Sequence, residues 1–368
     1  MSDLVSSKKN HDIEVLRTIA ILFVLLAHTA ILFSPSSLYW DVLNYAKFGS
    51  GVDLFFCVSG YIVTLSIINK IPNHKSFYSF WEFSYSFWRR RFWRLMPSAV
   101  FWVLIVIVMS LVWGGQGVVI PFELTIKSAF HAITQTQNFY FITCRPQGSC
   151  GELGIYWSLS LENQFYILLP VIAFIFERKK LFLFFFFVFL SQFFLPRTLN
   201  EATPFMWSLR TDAIAIGVMI AILSNGRDRS EIFFKIFSCK LIPFAALIVL
   251  VFSLALLSSP KPFVSFSVGL TAVVSGILVF IASYNGGVFS SNILFRSVCD
   301  YIGSRSYSIY LTHVVGLSLT RIILGFDLNV IGTFETILNL LFFLAITFVM
   351  AELSYRFIEM PLRKRGRI

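Results

Sequence analysis

EVLRTIAILFVLLAHTAILF, residues 14–33, is an apolar run interrupted by one arginine and one histidine, Arg17 and His28, with ten uncharged residues between them. An ionisable side chain at the centre of a membrane helix costs roughly 2.5–3.5 kcal/mol on insertion scales, so each one needs a reason to be there. Eleven positions at 100° each end about 20° past three full turns, which puts both side chains on one helix face, about 16 Å apart along the axis. Arg17 is placed near the inner end of a span, where a boundary arginine reaching for the interface is the alternative reading. His28 is placed at mid-membrane or beyond, where a buried hydrogen-bonding histidine is the alternative.

The rest of the chain repeats the signal. Of 368 residues, 57% are hydrophobic, 13% are charged and 43 are phenylalanine, and the mean hydropathy is +0.78. Ten spans are expected, at 15–33, 51–69, 98–114, 157–176, 181–195, 207–224, 241–258, 263–283, 305–323 and 333–353. The fold class is therefore all-α, a polytopic membrane helix bundle forming a single domain over 1–368. No cleavable signal peptide is expected, because the first run is too long for one. With the N-terminus inside, 23 of the 30 Lys and Arg fall on inner segments and 7 on outer ones, so both termini are expected in the cytoplasm. Residues 354–368 form a basic cytoplasmic tail. The net charge of +11 then reflects topology and contacts with membrane lipids, and no nucleic-acid partner is expected.

Several other spans carry polar groups near their outer ends. Asp53 opens the second span in GSGVDLFFCVSGYIVT (49–64), at a depth close to that of His28, where it could orient the imidazole or cap the helix. Ser59 and Gly60 lie deeper and read as close helix packing. Glu162 and Gln164 follow Trp157 in YWSLSLENQFYILLP (156–170). Arg210 and Asp212 open the sixth span and could pair with each other. Tyr307, Tyr310 and His313 recur on consecutive turns of the ninth, as a functional face or an aromatic packing stripe. Together these describe a polar chamber open to the outside, lined by Asp212, Tyr310 and His313. In the outer loop 115–156, Cys144 and Cys150 are either a disulfide or two thiols. On the inner side, FWRRRFWRLMPS (87–98) clusters Arg90, Arg91 and Arg94. They are either a lipid-headgroup contact or an anion site that grips phosphates through forked hydrogen bonds.

These stretches resemble the acyltransferase family 3 membrane proteins, which O-acylate bacterial surface polysaccharides. The resemblance rests on the Arg17–His28 spacing, GVDLFFCVSGYI at 51–62, RRFWRLMP at 90–97, WSLSLENQFY at 157–166, SYSIYLTH at 306–313 and YRFIEMPLRK at 355–364, in that order along residues 12–363. It implies ten core spans in the bacterial inner membrane, acetyl-CoA or another acyl-CoA as cytosolic donor, and transfer to a hydroxyl on the far side. It makes Arg17 and His28 an essential pair and assigns Arg90, Arg91 and Arg94 to the family's arginine motif. Many members add a further span and a hydrolase-like domain. This chain is expected to act without them.

The expected acceptor is a lipid-linked or surface polysaccharide, lipopolysaccharide O-antigen first, with exopolysaccharide, peptidoglycan or a small molecule as alternatives. His28 would accept the acceptor hydroxyl's proton, or carry the acyl group itself, with Asp53 or Glu162 orienting the imidazole. No metal is expected. The rival class is a secondary transporter, which would usually show internal repeats and broken helices in matching halves; neither is present in the sequence.

Overall fold

The computed structural model describes residues 9–34, 37–195, 197, 210–225, 241–259, 263–325 and 332–366. Helices fall on all ten expected spans: α1 His11–Thr29, α3 Gly51–Ile67, α4 Phe77–Trp113, α7 Tyr156–Ile175, α8 Arg178–Phe193, α9 Asp212–Ser224, α10 Leu241–Leu257, α11 Ser267–Ser283, α12 Ile293–Leu324 and α13 Thr333–Ser354. A short α2, Leu38–Tyr45, precedes α3, and α14, Met360–Arg365, continues α13 through a π-helical turn at Tyr355–Glu359. Among the described residues there is no strand, and six helices are long and apolar enough to cross a membrane. The chain is a multi-pass helical membrane protein. Residues 207–209 of the expected sixth span and 226–240 of the expected inner segment lie outside the described residues, as does Cys239.

The segment 87–98 was expected as the end of an inner loop. It is instead the middle of α4, a helix of 37 residues. Residues 77–96 contain no Gly or Pro, and Ser76 and Ser79 form a reciprocal capping box that fixes the start. Pro97 is accommodated inside the helix, where it removes one backbone hydrogen bond but does not end it. At ~1.5 Å per residue α4 is about 55 Å long against a hydrocarbon core of ~30 Å, so it runs well past the membrane at one end. That continuation holds the arginines on a rigid helix face. The loop 115–156, expected on the outer side, is also structured. It holds α5, Phe122–Ile133, and α6, Gln137–Cys144, followed by a 3₁₀ turn at Gly151–Ile155. Cys144 and Cys150 form a disulfide that closes the loop between them.

Helix α1 sits between two apolar clusters. Val15, Leu16, Ala20 and Phe23 belong to one, with α3, α9 and α11; Ile21, Val24 and Leu25 belong to the other, with α4, α12 and α13. Its N-terminus is pinned by Asp12, whose buried carboxylate accepts from the backbone N–H groups of Val288, Phe289 and Ser290 and from the Ser290 hydroxyl. Helices α3 and α9 touch backbone to backbone. A Cβ on Gly60 would lie 2.3 Å from the Ile214 carbonyl oxygen, and one on Gly217 would lie 2.1 Å from that of Cys57. That contact decides where the first turn of α3 points its carboxylate.

Candidate active site

Two cavities open on α1. The smaller, about 100 Å³, is lined by Arg17, Arg91 and Arg94 together with Ser59, Glu162 and Tyr166. The larger, about 680 Å³, is lined by His28, Lys47, Arg145, Arg197 and Arg210 among aromatic and aliphatic groups. Val52 and Tyr310 belong to the walls of both. The two ionisable residues of the opening segment thus serve different chambers, and those chambers share two wall side chains.

His28 is held by its own helix. Its Nδ1 lies 2.8 Å from the Val24 carbonyl oxygen, an acceptor only, so Nδ1 carries the proton and the Nε2 lone pair is left for chemistry. His313 packs edge to face on it with ring centroids 4.7 Å apart. The Nδ1 of His313 meets the Tyr310 carbonyl oxygen at 2.6 Å, and its Nε2 is buried without a hydrogen-bond partner among the described residues. Two imidazoles therefore share one tautomer and stand together. His313 was expected to line the outer chamber. It is fully buried and backs His28 instead, because it sits one turn beyond Tyr310 on the side of α12 that faces α1.

Neither expected carboxylate orients His28. The buried Asp53 accepts both hydrogen bonds of a fork from Arg210, through Nε at 2.7 Å and through Nη2. The Glu162 carboxylate accepts from the Ser59 hydroxyl and the Tyr166 hydroxyl, inside the smaller cavity. Arg210 and Asp212 do not pair with each other. Asp212 is buried against Arg197 at 2.6 Å and does not line the chamber, whereas Arg197 and Arg210 do. The cause is the glycine contact between α3 and α9, which brings Arg210 over the start of α3. Ser59 reads as packing in the sequence but lines a cavity with a carboxylate on its hydroxyl.

At the other end, Arg17 donates to Ser306 at 2.9 Å and to Glu14 at 3.3 Å. Arg91 lies over the rings of Phe87 and Tyr166, at 5.6 and 5.2 Å. Arg94 is one turn further along α4 on the same face and lines the same cavity; Arg90, about 100° around the helix from Arg91, does not. Tyr310 donates to the Ile155 carbonyl oxygen at 2.9 Å and shares a 2.7 Å hydrogen bond with Ser158. Tyr307 donates to the Leu95 carbonyl oxygen at 2.6 Å. These bonds fix the divide between the cavities. Lys47 and Arg145 were missed by sequence reading, since each lies in a loop and only the folded loops bring them to the chamber.

A family model described as an acyltransferase domain matches residues 10–356. The chain is 29% identical over 354 residues to an O-acetyltransferase, OatA, of Staphylococcus aureus (strain NCTC 8325 / PS 47), which covers 86% of this chain and 53% of the relative. It is 27% identical over 382 residues to the peptidoglycan O-acetyltransferase OatA of Listeria monocytogenes, which covers 99% of this chain and 57% of the relative. The chain thus spans about half the length of the curated relatives it matches. No solved structure matches it. The match runs through every element that builds the two cavities, and the chain belongs to acyltransferase family 3.

Proposed function

We propose that the chain is an inner-membrane O-acetyltransferase that carries an acetyl group from cytosolic acetyl-CoA to a hydroxyl of a bacterial surface polysaccharide. The observation that carries this is the pair of cavities meeting at Val52 and Tyr310, with a guanidinium cluster in one and the free Nε2 of a histidine in the other. The smaller cavity, about 100 Å³, would take the thioester end of the donor. Arg17, Arg91 and Arg94 line that cavity and would hold donor phosphates by charge-assisted hydrogen bonds. The acceptor hydroxyl enters from the larger cavity. His28 Nε2 takes its proton as the oxygen attacks the thioester carbonyl; the C–S bond breaks, and the departing thiolate recovers the proton from the imidazolium. Tyr310 and Ser158 stand where the two substrates meet.

The acceptor expected from the sequence is O-antigen. A second reading, peptidoglycan, is favoured by the name of the Listeria relative. Purified protein given radiolabelled acetyl-CoA and each glycan in turn separates them by which one becomes labelled; labelling of neither, with no acetyl-CoA consumed, refutes the enzyme. In the same assay Arg94→Ala should raise the KM for acetyl-CoA at least ten-fold while the KM for glycan holds, and an unchanged donor KM would leave the arginines as headgroup contacts.

The charge bias supports an inward-facing arginine end. Ile120→Cys should therefore react with an impermeant maleimide in intact cells and Lys75→Cys should not; the reverse pattern would invert the topology.

A further inference from the structure

The polar part of the larger cavity is one-signed. Lys47, Arg145, Arg197 and Arg210 line it, and no carboxylate does so among the described residues. Arg210 and Arg197 are matched by acids set behind the wall, Asp53 and Asp212. Lys47 is differently placed. Lys47 lies between α2 and α3, half-buried, its backbone N–H held 3.0 Å from the Ala255 carbonyl oxygen, and it enters no ion pair among the described residues. Arg145 is exposed, caps α6 inside the disulfide loop, and lies 5.6 Å over the Phe141 ring. A cleft lined by one sign of charge concentrates ligands of the other.

The apolar part points to a sugar. Trp40, Phe48, Phe141 and Trp157 line the same space, and Phe141 and Trp157 stack with centroids 5.9 Å apart. Flat rings can cover the C–H face of a pyranose, leaving its substituents for the cations. A neutral glycan would use the rings and leave the cations without a counter-charge.

We propose that the acceptor glycan carries an acidic substituent, a carboxylate or a phosphate, on or beside the sugar that is acetylated, and that Lys47 and Arg145 bind it. This rests on the O-acetyltransferase reading and adds the charge of its acceptor.

The test uses the full chain in nanodiscs of zwitterionic lipid, with radiolabelled acetyl-CoA and envelope glycan isolated from a strain deleted for this protein. The glycan is supplied untreated, carboxyl-reduced with carbodiimide and borohydride, or stripped of phosphate with hydrofluoric acid. One of the two treatments should lower kcat/KM for glycan at least ten-fold, and which one identifies the anion. Lys47→Gln combined with Arg145→Gln should lower kcat/KM on untreated glycan by a similar factor, leave the KM for acetyl-CoA in place, and erase the difference between untreated and treated glycan. Equal acetylation of all three glycans by the wild type overturns the proposal while leaving the enzyme reading intact. Failure of the wild type on untreated glycan overturns the enzyme reading, and this inference with it. Should the double variant not fold, the three glycans with wild-type protein decide alone.

Discussion

Replacing His28 with alanine should abolish glycan acetylation in protein that still inserts, folds and binds CoA. General base catalysis contributes ~10²–10⁴-fold, so the residual rate should lie at or below the detection limit of a labelling assay. The structure sharpens which substitutions decide between chemistry and packing. Among the described residues, His28 makes one hydrogen bond, from Nδ1 to the Val24 carbonyl. An asparagine or glutamine amide can keep that bond, but it offers no basic nitrogen in place of Nε2. His28→Asn and His28→Gln should therefore be as inactive as His28→Ala. The wild-type rate should fall as pH drops through the imidazole's pKa, because a protonated Nε2 cannot accept the acceptor's proton, and no variant at 28 should retain that limb. An amide variant working at near the wild-type rate, per folded molecule, would make His28 a packing residue and end the mechanism proposed above.

The spacing of Arg17 and His28 was legible because a helix has a fixed pitch. A single helix, α1, carries both, and the eleven-residue interval becomes the distance between two chambers. The ten helices were legible for the same reason: each is a hydropathy run, and runs are local. What failed was partner choice. Depth along a helix is one coordinate, and the reading paired groups that shared it: Asp53 with His28, Arg210 with Asp212. Which residue a side chain meets is set by the azimuth of each helix and by how closely two axes approach. Gly60 was read as a close-packing site, but the sequence does not say against which helix. The answer, α9 through Gly217, moves Arg210 onto Asp53. Similarly, α4 was cut at its arginines because charge normally ends a span. A helix can continue beyond the bilayer at no cost in hydropathy, and at 37 residues α4 is long enough to do so.

The reassigned pair gives the second large effect. Asp53 is fully buried, Arg210 is 11% exposed, and the two are joined by a fork of hydrogen bonds. Removing one partner of such a pair leaves an uncompensated charge and costs ~3–5 kcal/mol, a large share of a typical folding free energy of ~5–15 kcal/mol. Arg210→Gln should therefore lower the thermal midpoint of detergent-purified protein sharply and reduce the amount that elutes as a single species. Asp53→Asn should do the same from the other side. The two together replace an ion pair by a pair of amides that can still hydrogen-bond, and should recover most of the midpoint, so the double-mutant cycle should show a coupling well above the ~0.5 kcal/mol seen for independent sites. Activity per folded molecule adds the discriminating measurement. If Asp53 oriented His28, as depth alone implied, Asp53→Asn would slow acetylation while leaving stability near wild type, and the double variant would be no faster than the single. If Asp53 and Arg210 act as a structural pair that shapes the chamber wall, stability falls in each single variant, rises again in the double, and whatever protein remains folded keeps a functioning His28. A stable but slow Asp53→Asn protein would return Asp53 to the histidine and refute the ion pair as its partner.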